Sequence, residues 1–301
     1  MMGNFALVFI RRLIYIVIII AVFTGVMVGF YFFVLRDRTF SEARQEECEL
    51  EVILRDYDVK LLSNKETGGE EIKIWLKKRD EVVEQLERLG TNVLPQLIGL
   101  VRKVGRVYEK DPNTARQMRA QLLLVFRVLG SNAAPLLPEL IKEYQAGRNI
   151  GPVLDGIIYI GATEGGLAIV PGLTNIDTEV RLGTISAISY FRTNALVIEK
   201  ALPLLLKNLD DSSQPIRAVS ASVLGSFQSK PEVVIPALVR LAEHDKDLVV
   251  RSVAVKGIGE FGASGIIALS NLEVIARADR EEIVRQEATN AIRKIKGELK
   301  K

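Results

Sequence analysis

The stretch Ala201-Leu202-Pro203-Leu204-Leu205-Leu206, followed by Asp210-Asp211, Ile216-Arg217 and Val223-Leu224-Gly225, is repeated almost at once. Its second copy reads Val234-Ile235-Pro236-Ala237-Leu238-Val239, then Asp245-Lys246-Asp247, Val250-Arg251 and Gly257-Ile258-Gly259. Pro203 and Pro236 are 33 residues apart, and Arg217 and Arg251 are 34 apart. A period of that size marks a solenoid of helical hairpins. Working backwards, Pro171 and Pro138 continue the series, and Arg181 fills the Val-Arg position. Working forwards, Arg285 lies 34 residues after Arg251. A more degenerate copy begins near Pro95 and ends at Leu129-Gly130. The expectation is an all-α solenoid of about six helical pairs between Val93 and Lys296.

Each unit has a physical logic. The first helix is expected to open near its proline, whose fixed φ and missing N–H suit a first turn. Leu202, Leu205, Leu206 and Leu209 give it an apolar stripe at helical spacing. Asp177, Ser212-Ser213, Asp247 and Asp279 stand where the second helices need caps. Ala218, Ala221, Val223 and Leu224 supply a small, apolar inner face. Gly130, Gly161, Gly225 and Gly259 are expected to stop the second helices through left-handed turns. One hairpin cannot bury its own apolar face; stacked neighbours can. Arg181, Arg217, Arg251 and Arg285 read as structural residues rather than an anion-binding ladder. Asp177–Arg181, Asp247–Arg251 and Glu281–Arg285 are spaced as i, i+4 pairs.

These motifs resemble HEAT repeats, in the short variety found in phycobilisome-lyase-like repeat proteins. The Pro-x-Leu start, the Asp turn, the Val-Arg pair and the Leu-Gly stop carry the likeness. The resemblance implies a binding surface, and its lyase-like members imply an alternative role as a lyase or chaperone component. Two glycine-rich stretches, Gly147–Pro152 and Gly161–Gly172, depart from the pattern. Pro171 to Arg181 is also only 10 residues, against 14 from Pro203 to Arg217. The third pair is therefore expected to have a shortened first helix or turn.

The remainder of the chain suggests an anchored array. Residues 1–12 form a tail, and Leu13 to Leu35 are 23 consecutive uncharged, mostly apolar residues. A helix of that length spans about 34 Å, enough for a bilayer core of about 30 Å. No small-x-small cleavage site follows it, so an uncleaved single-pass anchor is expected, of the kind found in a bacterial inner membrane. A short tail before a large domain favours the array on the extracytoplasmic side. Gly25 and Gly29 fit the small-xxx-small packing pattern. Residues 36–69 read as a stalk and Gly-containing linker, with Phe40, Ala43, Glu47, Leu50, Leu54, Tyr57 and Leu61 at heptad spacing. A parallel homodimer through anchor and stalk is one expectation, and a stalk packed on its own array is the other. Residues 70–301 form the array, opened by a capping helix whose stripe is Ile72, Trp75, Leu76, Val83 and Leu86.

Composition removes several function classes. Lys plus Arg number 40 against 37 Asp plus Glu, which argues against a dedicated nucleic-acid binder. One cysteine, Cys48, excludes an internal disulfide framework and a multi-thiolate metal site. His244 is the sole histidine and stands in a turn beside Asp245, where it reads as a turn residue rather than a general base; with one remote cysteine besides, neither a Ser-His-Asp arrangement nor a zinc site is indicated. No catalytic residue, cofactor or metal is expected. The expectation is a non-catalytic scaffold that holds a protein partner.

Overall fold

The computed structural model describes residues 50, 52–54, 69–108 and 110–298. The expected tail and anchor (residues 1–35, with Gly25 and Gly29) and most of the stalk lie outside them. The chain divides into two compact units, Met1–Asp56 and Tyr57–Lys301. In the first, Leu50 and Leu54 are buried and Val52 is exposed. The second holds the repeats.

The described part of that unit is helical throughout, with no strand. A leading helix, α1 (Gly69–Leu89), precedes six pairs. These are α2 (Leu94–Tyr108) with α3 (Pro112–Leu129), α4 (Leu137–Gln145) with α5 (Ile150–Ile160), and α6 (Thr163–Ile169) with α7 (Thr178–Ile188). They continue as α8 (Ala195–Asn208) with α9 (Gln214–Phe227), α10 (Pro231–His244) with α11 (Leu248–Glu260), and α12 (Leu269–Ala278) with α13 (Glu282–Glu298). The six expected pairs are present, as an α-solenoid. Each second helix packs along the next second helix, from α3–α5 through to α11–α13, whereas successive first helices touch sparsely. A row packed more closely on one layer curves with that layer inside, so the second helices form the inner face.

The core follows the expected stripes. Leu202, Leu205, Leu209, Ala218, Ala221, Val223 and Leu224 are all buried. At the open end α1 packs on α3. Among its described side chains Val82 and Leu86 are buried, Val83 is half-buried and Leu76 is exposed, while those of Ile72 and Trp75 lie outside the described residues. At the other end α13 buries Val284, Ala288, Ala291 and Ile295 and leaves Arg293, Lys294 and Lys296 at the surface. The apolar run Pro112–Gln145 is long enough to cross a membrane by composition. Leu122, Val125, Phe126, Leu129 and Leu140 of that run are buried in the array, which accounts for its hydropathy.

Prolines and glycines act differently from the sequence expectation at several positions. Pro138 and Pro171 sit in the first turns of α4 and of the 3-10 turn Val170–Thr174. Pro203 and Pro236 lie inside α8 and α10 instead. Those helices start earlier, at the Asn194 cap and at Pro231, so the repeat's proline marks the middle of the helix. Gly130 (φ 49°) and Gly161 (φ 68°) do end their helices with positive φ. Gly225 and Gly259 do not, because α9 runs on to Phe227 and α11 to Glu260. They are glycines because of proximity. A Cβ at 225 would lie 2.6 Å from Gly257 Cα, and one at 259 would lie 3.1 Å from Ala291 Cβ.

The same explanation covers the glycine-rich third pair. Its first helix is cut to the seven residues of α6, followed by a 3-10 turn, as the short spacing anticipated. A Cβ at Gly165 would meet Leu137 and Ile157, and one at Gly166 would meet Val197 and Phe191. A Cβ at Gly172 would fall 1.7 Å from Tyr144 Oη. That hydroxyl is buried and lies 2.6 Å from Thr184 Oγ1. The missing side chains let a short helix fill the place of a long one.

Gly225→Ala tests this close approach. It is expected to destabilise the fold by about 1–3 kcal/mol, since backbone rather than a flexible side chain must move. Gly297→Ala, with nothing near its Cβ, is expected to be neutral or stabilising by about 0.5–1 kcal/mol. Urea unfolding of both variants checks the contrast.

Candidate functional site

Two features of the array have the geometry of working parts: a ladder of arginines and a groove on the inner face. The ladder arginines occupy the fourth position of α7, α9, α11 and α13. Their guanidinium groups turn away from the i−4 acids that sequence spacing suggested and reach into the turns. Arg217 Nε and Nη2 donate to Asp245 at 2.7 and 3.0 Å. Arg251 donates in the same fork to Asp279 at 2.9 and 3.1 Å. In both, Nη1 donates to two carbonyls of the preceding turn, Asp211 and Ser212 or Asp245 and Lys246. Arg285 donates to the Asp279 carbonyl at 2.7 Å. One side chain thus closes its own hairpin and ties it to the next.

The expected caps explain why i−4 pairing loses. Asp177 Oδ1 accepts from the amides of Glu179 and Val180, and Asp247 Oδ1 from those of Val249 and Val250. Those carboxylates are committed to the helix start. Asp279 accepts from the Glu281 amide as well as from Arg251. Ser213 makes no side-chain cap; Asp211 Oδ1 accepts from its amide instead. The first rung is the weakest. Arg181 Nη2 stands 3.3 Å from Asp211, and its buried Nε has no partner.

Burial makes these rungs count. Arg251 is 2% exposed and Arg217 is buried with it. Burial by itself would raise the Asp245 and Asp279 pKa values. Hydrogen bonds from Arg217 and Arg251, and from the amides of Asp247 and Glu281, outweigh it and hold both below 3.8. Arg217 and Arg251 are therefore committed to inter-repeat pairing.

The groove runs over α3, α5 and α7, all second helices, and has a volume of about 630 Å³. Gly151, Gly183, Leu154, Ile158 and Val180 are among its lining residues; the Arg119 guanidinium packs over Gly151 and Leu154 over Gly183. Arg119 and Asp155 cross it as a forked ion pair at 2.8 and 3.1 Å. Tyr190, 69% exposed, stands at its rim. The sequence singles out no binding residue on this surface. Of the groove's glycines, Gly147 and Gly151 belong to a stretch that departs from the repeat, and Gly183 carries no signal. His244 is exposed at the end of α10, 3.7 Å from Glu243. Among the described residues no three His, Cys, Asp or Glu side chains converge.

Residues 167–258 and 202–293 match the family model for HEAT repeats. No curated protein matches the sequence. Among solved structures, an engineered protein from a structural genomics consortium aligns at 18% identity and a TM-score of 0.39, over 83% of this chain and 97% of its own. Cex1p aligns at 15% identity and a TM-score of 0.49, over 86% of this chain and 53% of its own.

The sign of the pH dependence follows from the depressed carboxylates. Their contribution is present above about pH 4 and is lost as pH falls through the folded-state values. Arg251→Met is expected to cost on the order of 3 kcal/mol at pH 7, because Asp279 is left buried and unpaired. The gap from wild type should shrink between pH 5 and about pH 3, as Asp279 protonates in the variant. Thermal unfolding across that range checks it; a gap independent of pH would show that the pair is not the cause.

Proposed function

We propose that this protein is a membrane-anchored, non-catalytic scaffold that holds a protein partner in the groove of its inner face. HEAT-repeat solenoids are generally non-catalytic interaction surfaces, and fold alone does not decide function. The observation that carries the reading is the groove over α3, α5 and α7, with an exposed tyrosine at its rim. Exposed aromatic residues beside apolar walls are the usual anchors of protein interfaces. The 23 apolar residues of the expected anchor, 13–35, would bring this surface to a bilayer. The lyase-like alternative rests on the resemblance alone, and no residue in the groove favours it.

Site-specific photo-crosslinking of the full chain in native membranes tests the surface. A crosslinker at Tyr190 is expected to capture a discrete partner. One at Val274, exposed on first helix α12, is expected to capture none. Leu154 and the core stay intact in Tyr190→Ala, which should weaken co-purification of that partner at least tenfold. Equal capture at both positions would refute an inner-face site.

A further inference from the structure

The ladder stops before the first two pairs. The fourth residue of the second helix is arginine in α7, α9, α11 and α13, but Ala115 in α3 and Val153 in α5. The consequence is visible at the turn edge. Between the fourth and fifth pairs, Arg217 and Asp245 occupy the floor, leaving a cleft of about 370 Å³. Between the first and second pairs the corresponding cleft is about 670 Å³.

That larger cleft is basic. Arg102 and Arg106 reach it from α2, Lys142 from α4, and Arg148 from the following turn. One wall is Glu143, whose side chain is 4% exposed. Glu143 accepts from Arg148 Nε at 2.9 Å and from Arg102 Nε at 3.0 Å. Those bonds, Arg148's first, keep its carboxylate ionised below the ordinary range. Arg102 Nη2 also donates to Glu139 at 2.7 Å. Glu143 thus acts as a fixed post for two guanidinium groups. Arg106 and Lys142 make no ion pair with a described residue. Four cations face two carboxylates, and the two unpaired ones stand on different helices. Asn149, at φ 51°, makes no side-chain hydrogen bond with a described residue, and its amide lies over Gly105, where a Cβ would be 1.6 Å from Oδ1.

We propose that this cleft binds a polyvalent phosphate group. A monovalent carboxylate would neutralise only one surplus cation. A phosphate dianion or a diphosphate can engage an ammonium and a guanidinium together, with donors already held in place. Lys142 and Arg106 would supply the charge, and Asn149 Nδ2 a neutral donor. The cleft adjoins the inner-face groove at Gly147, which lines both, but none of its four cations lines that groove.

The test is calorimetric titration of the full chain in detergent micelles, at fixed ionic strength, with pyrophosphate and separately with a water-soluble short-chain phosphatidate. Wild type is expected to bind at least one of them. Arg106→Gln with Lys142→Gln, both exposed and outside the core, should weaken it at least tenfold. Lys142→Gln alone should give an intermediate loss, and circular dichroism confirms that the fold is retained. Tighter binding of phosphatidate assigns the group to a lipid headgroup, and tighter binding of pyrophosphate assigns it to a free phosphate. Absence of binding by wild type to both probes would overturn the site, as would equal affinity in the double variant.

Discussion

Each hairpin in the second half of this array is tied to the next by a buried fork between arginine and aspartate. Arg217 to Asp245 and Arg251 to Asp279 both span 28 residues, close to one repeat. Stacking supplies most of the free energy, since the apolar faces of a lone pair would stay wet. Apolar stacking alone does not fix register, because small residues such as Ala218 and Ala221 allow sliding. The fork does, as it demands one carboxylate, two carbonyls and one guanidinium in a single arrangement. A buried pair is weak evidence for net stability, but removing one partner strands a charge.

The glycines complete the same design. Gly225 and Gly257 let α9 and α11 touch backbone to backbone, which brings the inner layer closer than the outer one. In the third pair, Gly165, Gly166 and Gly172 admit a short helix against Phe191, Ile157 and Tyr144. The array therefore has two regions. Pairs three to six carry ladder arginines, and pairs one and two replace them with Ala115 and Val153. The larger cleft lies between pairs one and two, and the groove reaches from pair one to pair three, with Gly147 lining both.

Much of this architecture was legible in the sequence. The spacing of Pro203 to Pro236 and of Arg217 to Arg251 set the repeat, and the short interval from Pro171 to Arg181 set the truncated α6. Local caps were readable too, because Asp177 and Asp247 act on amides two and three residues away. What escaped was non-local. No spacing within one repeat tells that Arg217 prefers Asp245 to a nearer acid, since the choice depends on the next repeat's position. Nor does Gly225 announce whether it ends a helix or meets a neighbour. The helix-stopping rule fits Gly130 and Gly161 and fails there, because contact with Gly257 decides. On α1, Leu86 is buried as expected but Val82 is more buried than Val83, since adjacent apolar candidates leave the choice to packing. The groove was hidden because Arg119, Asp155 and Tyr190 are brought to it from three different pairs.

Hydrogen exchange on Arg217→Met tests the central claim most directly. If the fork couples repeats, the amides of Ser213 and Asp247, which bond to Asp211 and Asp245, should both lose protection. The loss should appear in the two consecutive turns while α12 and α13 remain as in wild type. Loss confined to the turn around Ser213, with Asp247 unchanged, would contradict the account and reduce the arginine to a cap of its own hairpin.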